Sequence, residues 1–285
     1  MLESIGLPNR RKRSETVAHR NHGNPCWYEL TTSKGSLQAA ERFYGETLGW
    51  KIEDSGMKEF DYHLARSGGD MVAGLMEMPD DVASIPPFWM IYFAVDDADQ
   101  FVADAKAAGA SIHRVPSDVP GTGRFALLAD PQGAAFGILQ PDLSNMSSDD
   151  IAKADAGEGA FNQSKAGHGN WNELMSTEPA AAFAFYASLL GWSKGDAIDM
   201  GKMGTYQLFR RNDVDIGGMM DLGDSPVPNW LPYFGVDGSV SDRIDAIKAA
   251  GGSVHHGPIE VPGGGYIAVG QDPQHAWFAL TGAKK

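Results

Sequence analysis

Two glutamates stand in the same short frame. Trp27-Tyr28-Glu29-Leu30 and Trp171-Asn172-Glu173-Leu174 lie 144 residues apart (173 − 29). Each frame opens a short apolar run that predicts a strand, and residues two apart on a strand share a face. Trp27 then lies beside Glu29, and Trp171 beside Glu173. A carboxylate packed against indole rings loses water, which raises its pKa and suits it to general acid or base work. The same placement suits a structural carboxylate that accepts a hydrogen bond from a backbone N–H or a Tyr hydroxyl of a neighbouring module. Both readings stand at this level.

The elements that must position these residues are duplicated with them. Phe43-Tyr44-Gly45-Glu46-Thr47-Leu48-Gly49-Trp50 returns as Phe185-Tyr186-Ala187-Ser188-Leu189-Leu190-Gly191-Trp192, and Asp130-Pro131-Gln132 as Asp272-Pro273-Gln274. Both pairs are 142 apart (186 − 44 and 272 − 130), while Tyr62 and Tyr206 are 144 apart. Repeats of that length are duplicated domains; solenoid repeats run to about 20–50 residues. Two domains are expected, at 23–141 and 168–282. A polar leader (1–22) precedes them, and a Ser-, Asp-, Ala- and Gly-rich linker (142–167) joins them. In each, a strand (Cys26–Thr31, Trp171–Ser176) leads into a helix with Leu37, Ala40, Phe43, Tyr44 and Leu48, or Phe183, Tyr186, Leu189 and Leu190, on one face. Gly49 and Gly191 end those helices. Three strands follow, and the pattern restarts at Trp89–Val95 and Leu231–Val236. The chain is thus four β-α-β-β-β modules, an α+β arrangement.

Composition narrows the function. The 285 residues carry a formal net charge of −14, which speaks against a nucleic-acid partner. The basic run Arg10-Arg11-Lys12-Arg13 is read as a solvated leader. No apolar run reaches the roughly 18–20 residues that span a bilayer, and no secretory h-region is present, so no membrane partner and a cytoplasmic location are expected. Cys26 is the only cysteine. It excludes an intrachain disulfide and reads as a small buried hydrophobe rather than a nucleophile.

The four modules, the Phe-Tyr-x-x-x-x-Gly-Trp helix end and the late Asp-Pro turn together resemble the vicinal oxygen chelate superfamily of glyoxalases, bleomycin-resistance proteins and extradiol dioxygenases. The Trp-x-Glu-Leu openings look like its tandem glyoxalase-like members. The resemblance covers nearly all of 23–141 and 168–282. It implies that each pair of modules curls its strands into a cup, with a divalent metal at the base held from the first, third, fifth and last strands. Carried onto this sequence, those positions fall on Trp27 and Trp171, His63 and Gln207, Met90 and Leu231, Gly137 and Ala279. An indole N–H cannot bind a metal, and one histidine among four positions does not hold one. No metal ligand and no cofactor are therefore expected.

If Trp27 and Trp171 point inward, alternation places Glu29, Glu173, His63, Met90, Tyr92, Gln207, Leu231, Tyr233, Ala135 and Trp277 in the cups. The expected catalytic residues are Glu29, Glu173 and His63. The expected substrate contacts are Trp27, Met90, Tyr92, Arg124, Trp171, Gln207 and Tyr233. The first cup is favoured because it would hold His63 beside Glu29. Arg124, next to Gly121-Thr122-Gly123, is read as either an anion contact or an exposed structural arginine. Of His255 and His256, adjacent on a strand, at most one should reach a cup; His113 occupies the equivalent strand, and His275 a turn. The leading reading is a metal-independent lyase, isomerase or hydrolase type of enzyme that binds a small organic molecule in an aromatic cup. The alternative is a non-catalytic binding or sequestration protein, and the third a metal-dependent glyoxalase-type lyase. A monomer or a homodimer is expected.

Overall fold

In the computed structural model the described residues are 21–285 except 58–60, 81–84, 146, 149–150 and 153–158. The leader up to residue 20, with its basic run, lies outside them, as does part of the expected linker.

The alternating runs of the first half become β1 (Pro25–Thr32), α1 (Leu37–Leu48), β2 (Lys51–Asp54), β3 (Tyr62–Ser67), β4 (Asp70–Glu77), β5 (Phe88–Ala94), α2 (Ala98–Ala107), β6 (Ser111–Val119), β7 (Gly123–Ala129) and β8 (Ala135–Pro141). The second half repeats them as β9 (Gly169–Ser176), α3 (Pro179–Leu190), β10 (Ser193–Asp199), β11 (Thr205–Arg211), β12 (Val214–Asp221), β13 (Asn229–Gly235), α4 (Val240–Ala249), β14 (Ser253–Val261), β15 (Gly265–Gln271) and β16 (Trp277–Gly282). Each half is one eight-stranded sheet, ordered β2-β3-β4-β1-β5-β8-β7-β6 and β10-β11-β12-β9-β13-β16-β15-β14. The two module-opening strands, β1 and β5 or β9 and β13, pair antiparallel at the centre. That pairing makes two modules into one curled surface. Gly49 (φ 72°) and Gly191 (φ 68°) close α1 and α3 in the left-handed conformation that costs glycine least.

One face of each sheet turns toward the other half. Tyr28, Leu30, Phe43, Tyr44, Trp89, Ile91, Phe93, Phe136, Tyr186, Trp192, Trp230, Phe234 and Phe278 form one continuous buried core spanning both halves. Trp89 meets Phe234 edge-on at 5.0 Å, and Phe93 meets Trp230 at 5.3 Å, the two contacts being mates in the repeat. The duplicated motifs are the two ends of reciprocal bridges. The Tyr44 hydroxyl donates to Asp272 Oδ2 (3.1 Å), and Tyr186 to Asp130 Oδ2 (3.1 Å). Trp50 Nε1 donates to Gly167 O (2.8 Å), and Trp192 Nε1 to Gly23 O (2.7 Å). Tyr28 donates to Asn172 Oδ1 (2.9 Å), the residue at its own position in the repeat. Each helix end of one half is thus tied to the other half. The last residues of the expected linker join this core too, with Ala160 and Phe161 buried.

Because these faces are spent on each other, the opposite, concave faces remain for a ligand. No helix among the described residues is long and apolar enough to cross a membrane.

Candidate functional site

Glu29 sits mid-strand on β1, on the concave face, where Met90 on β5 is its register partner on one side and Gly74 on β4 the partner on the other. It is partly buried. Tyr92 donates to Glu29 Oε1 (2.8 Å) and Tyr62 to Oε2 (2.9 Å), while Trp27 Nε1 donates to the Tyr62 hydroxyl (2.9 Å). The second half holds the same four groups. Trp171 Nε1 donates to Tyr206 (2.8 Å), Tyr206 bonds Glu173, and Tyr233 donates to Glu173 Oε2 (3.1 Å). Both networks are built from one half alone, so each cup forms within a domain.

Glycines make room for the rings. A Cβ on Gly74 or Gly137 would fall inside the side chain of Tyr62 or Tyr92, and one on Gly218 inside that of Tyr206. Glycine at 137, on the last strand, is therefore the counterpart of the tyrosine that leans over it.

Burial pushes Glu29 and Glu173 above the usual carboxylate range, and the tyrosine hydrogen bonds work the other way without cancelling it. The positive charge of Arg114 also eases Glu29 downward. The same burial raises all four network tyrosines well above their ordinary value, so they remain hydrogen-bond donors at neutral pH. Asp130 and Asp272 are raised by burial as well. A raised carboxylate binds its proton more tightly in the folded state, so stability is lost as pH climbs through the folded pKa and regained toward the ordinary range near 4.5. Asp70 and Asp99, lowered by Lys165 and Arg124, have the opposite sign but act only below the ordinary carboxylate range. The melting temperature is thus expected to be higher at about pH 4.5, the ordinary carboxylate value, than at about pH 8. The difference should narrow in the Glu29→Gln, Glu173→Gln double variant. A melting temperature unchanged between the two pH values would contradict the buried-carboxylate account.

Several expected site residues sit elsewhere. His63 and Gln207 were expected in the cups, but Tyr62 and Tyr206 occupy that face. Successive strand residues alternate, and a one-residue offset reverses every face. His63 points to the helix side, where it pairs with Glu41 of α1 and with Asp61 (2.9 Å). Gln207 donates to the backbone oxygens of Gly195 (2.9 Å) and Leu208 (3.0 Å). Arg124 also faces the helix side, with Asp99 of α2 (2.8 Å) and Asp118 (2.9 Å) holding its guanidinium, so it is not available to a ligand in the cup. Trp27, Met90, Tyr92, Trp171 and Tyr233 lie on the concave faces with the two glutamates, through the register pairs Trp27–Tyr92, Glu29–Met90 and Trp171–Tyr233. A hollow lined by Asp118, Val119, Pro120, Arg124, Gln140 and Leu143 opens at the rim beyond Arg124, outside the cup.

One group was missed, Arg114, and His255, one of the two histidines weighed for the second cup, is placed by a bulge. Arg114 on β6 pairs in register with Leu127 of β7, and Leu127 with Gly137, which puts Arg114 on the concave face. Its guanidinium covers the Phe125 ring at 4.8 Å, and Phe125 tilts against Tyr92 at 6.5 Å. In the second cup a bulge between Val254 and His256 breaks strict alternation. His255 lies against Trp277 at 4.6 Å and reaches Gln271 Oε1 (3.1 Å). Trp277 is 45 % exposed. The signal for Arg114 was present in the repeat, which sets it opposite His256 (256 − 114 = 142).

The residues at the cup base do not fit a divalent metal. Trp27, Met90 and Gly137 offer no donor there, and both oxygens of Glu29 already accept tyrosine hydroxyls. Asp54, Asp61 and His63 come close enough to share an ion, but at the rim on the other side of β3.

Comparison with known proteins agrees with this architecture. Residues 30–138 match the model of the Glyoxalase/Bleomycin resistance protein/Dioxygenase superfamily. The chain is 32 % identical over 273 residues to the "Putative glyoxylase CFP32" of Mycobacterium tuberculosis, covering 94 % of this chain and 97 % of that protein. It is 29 % identical over 276 residues to the anthracycline biosynthesis protein DnrV of Streptomyces peucetius, covering 91 % and 93 %. Among solved structures it superposes on the 2,3-dioxygenase LapB of Pseudomonas sp. KL28 with a TM-score of 0.64 at 15 % identity, over 94 % of both chains. The Mn(II)-bound glyoxalase of Novosphingobium aromaticivorans gives 0.60 at 16 %, over 94 % of this chain and 84 % of that one. Full-length similarity to CFP32, with two tandem curled sheets, means that the chain belongs to the glyoxalase/bleomycin resistance protein/dioxygenase superfamily.

Proposed function

We propose that this protein is an enzyme on a small, flat, oxygen-bearing organic molecule, and that its first cup works by proton transfer at Glu29 rather than through a metal. One observation carries the reading: where the family geometry would place a metal, each half holds a closed Trp–Tyr–Glu–Tyr network around a carboxylate raised by burial. A carboxylate offers about four acceptor sites, and Tyr62 and Tyr92 use two of Glu29's. The remaining lone pairs take a proton from a substrate carbon or hydroxyl. The electron pair and its charge stay on the substrate while the Tyr92 hydroxyl, 2.8 Å away, keeps the protonated Glu29 in position, until Glu29 returns the proton or a leaving group departs with the electron pair. That sequence serves a lyase, isomerase or hydrolase type of reaction. Similarity over nearly the whole length to a protein of anthracycline biosynthesis, DnrV, supports a polycyclic aromatic substrate for this chain.

A second reading has its own support. The indole N–H, both tyrosine hydroxyls and both carboxylate oxygens of the Trp27–Tyr62–Glu29–Tyr92 chain have partners within the protein, as in a scaffold that only lines a binding cup. Incubation with hydroxylated polycyclic aromatics separates the two readings. Product detected by mass spectrometry, at a rate unchanged after exhaustive chelation, is the expected result. Thermal stabilisation without product selects binding alone, and loss of turnover on chelation with recovery on adding back a metal overturns proton transfer at Glu29 as the driving chemistry.

A further inference from the structure

Resting on the reading of the first cup as a small-molecule site, we infer that Arg114 selects its ligand: a planar conjugated molecule carrying an anionic oxygen, a carboxylate or a phenolate. Three features place it there. Arg114 stands on the concave face, two register steps from Gly137, with its guanidinium carbon over the Phe125 ring at 4.8 Å. Phe125 leans on Tyr92 at 6.5 Å, and Tyr92 holds Glu29 at 2.8 Å, so cation, ring and carboxylate are joined in one line of contacts across the cup. Among the described residues Arg114 makes no ion pair, whereas Arg124 and Arg210 are each held by aspartates. The positive charge of Arg114 acts instead on Glu29, in the same cup.

The chemistry of the site follows from that line. A guanidinium stacked on a ring is partly immobilised, and its outer N–H groups form a fork that fits a carboxylate or a pair of oxygens. An anion seated there lays its conjugated body toward Tyr92 and Glu29, and its charge is opposed by Arg114 while Glu29 stays free for a proton. The second cup lacks the arrangement. Its register equivalents are His256 and Ile267, an imidazole and an aliphatic side chain. The two cups therefore differ in the charge of the ligand they accept, although they share the carboxylate network.

Calorimetric titration of the full-length protein with 2-naphthoate and with its neutral methyl ester tests this. The wild type is expected to bind the anion about tenfold tighter than the ester at low ionic strength. Arg114→Gln should abolish that preference and leave ester affinity within about twofold, Arg114→Lys should keep part of it, and His256→Gln should leave it intact. Arg114 is exposed on an edge strand, and an unchanged melting temperature will show that each variant is folded. A preference that survives Arg114→Gln, or a wild type with no preference, overturns the assignment while the cup remains a ligand site. Failure of both compounds to bind overturns the aromatic-cup reading along with it.

Discussion

Glu29→Gln is expected to lower turnover by about 10²- to 10⁴-fold, the usual share of a general acid or base. Glu173→Gln is expected to change it less than tenfold, because the second cup lacks the cation and ring that face Glu29. Gln keeps the shape and one acceptor oxygen, and the freed tyrosine hydroxyl can turn to accept from its amide. Removing a carboxylate that burial disfavours should leave the fold as stable as before, or more so, at pH 8. Activity loss without stability loss is thus the expected signature. Unchanged turnover in both variants, with unchanged melting temperatures, would remove acid/base catalysis by these glutamates and leave the binding reading.

The largest expected effect on stability lies at the Asp-Pro-Gln turn. Asp130 is 2 % exposed, and its Oδ1 accepts the backbone N–H groups of Gln132 (2.9 Å) and Ala134 (2.9 Å). Its Oδ2 accepts Tyr186 from the other half, and Tyr186 in turn accepts Trp230 Nε1 at 3.0 Å. Asp130→Ala strands two backbone donors and a hydroxyl, each worth about 1–3 kcal/mol when buried and unpaired. A loss of about 4 kcal/mol, or roughly 10 °C in melting temperature, is expected. Asp130→Asn keeps the Oδ1 contacts and disturbs only the bridge to Tyr186, for about 1 kcal/mol. Asp272→Ala should match Asp130→Ala, since Asp272 makes the mirrored bonds to Gln274, Ala276 and Tyr44. Urea unfolding of the three variants checks the order. A cost below about 1 kcal/mol for Asp130→Ala would show that the turn is not what joins the halves.

The repeat made these bridges readable only in part. Phe43-Tyr44 and Asp130-Pro131 stand out in the chain as motifs, and helix ends and turns were expected of them. That Tyr44 meets Asp272 while Asp130 meets Tyr186 is a fact of docking. It depends on two sheets presenting their apolar faces to each other, which no local pattern encodes. Trp50 and Trp192 follow the same rule: the repeated motif marks them as the ends of matching segments, and docking makes them donors to the other half.

The sequence by itself determined the α+β class, the four modules, the duplication at an offset of 142, and the pairing of Glu29 and Glu173 with tryptophans. These rest on short-range signals: period-two alternation, helix-ending glycines and self-similarity, each complete within a few residues or within one comparison of the chain against itself. Only the tertiary structure decided that Tyr62 rather than His63 faces the first cup, that Arg114 rather than Arg124 lies on its concave face, and that His255 reaches Trp277. Alternation establishes that neighbours face opposite ways but not which parity faces inward. That parity is set by register against the next strand and by bulges such as the ones between Ile112 and Arg114 and between Val254 and His256. Register is a long-range property, so one residue of slip exchanged a histidine for a tyrosine at the centre of the site.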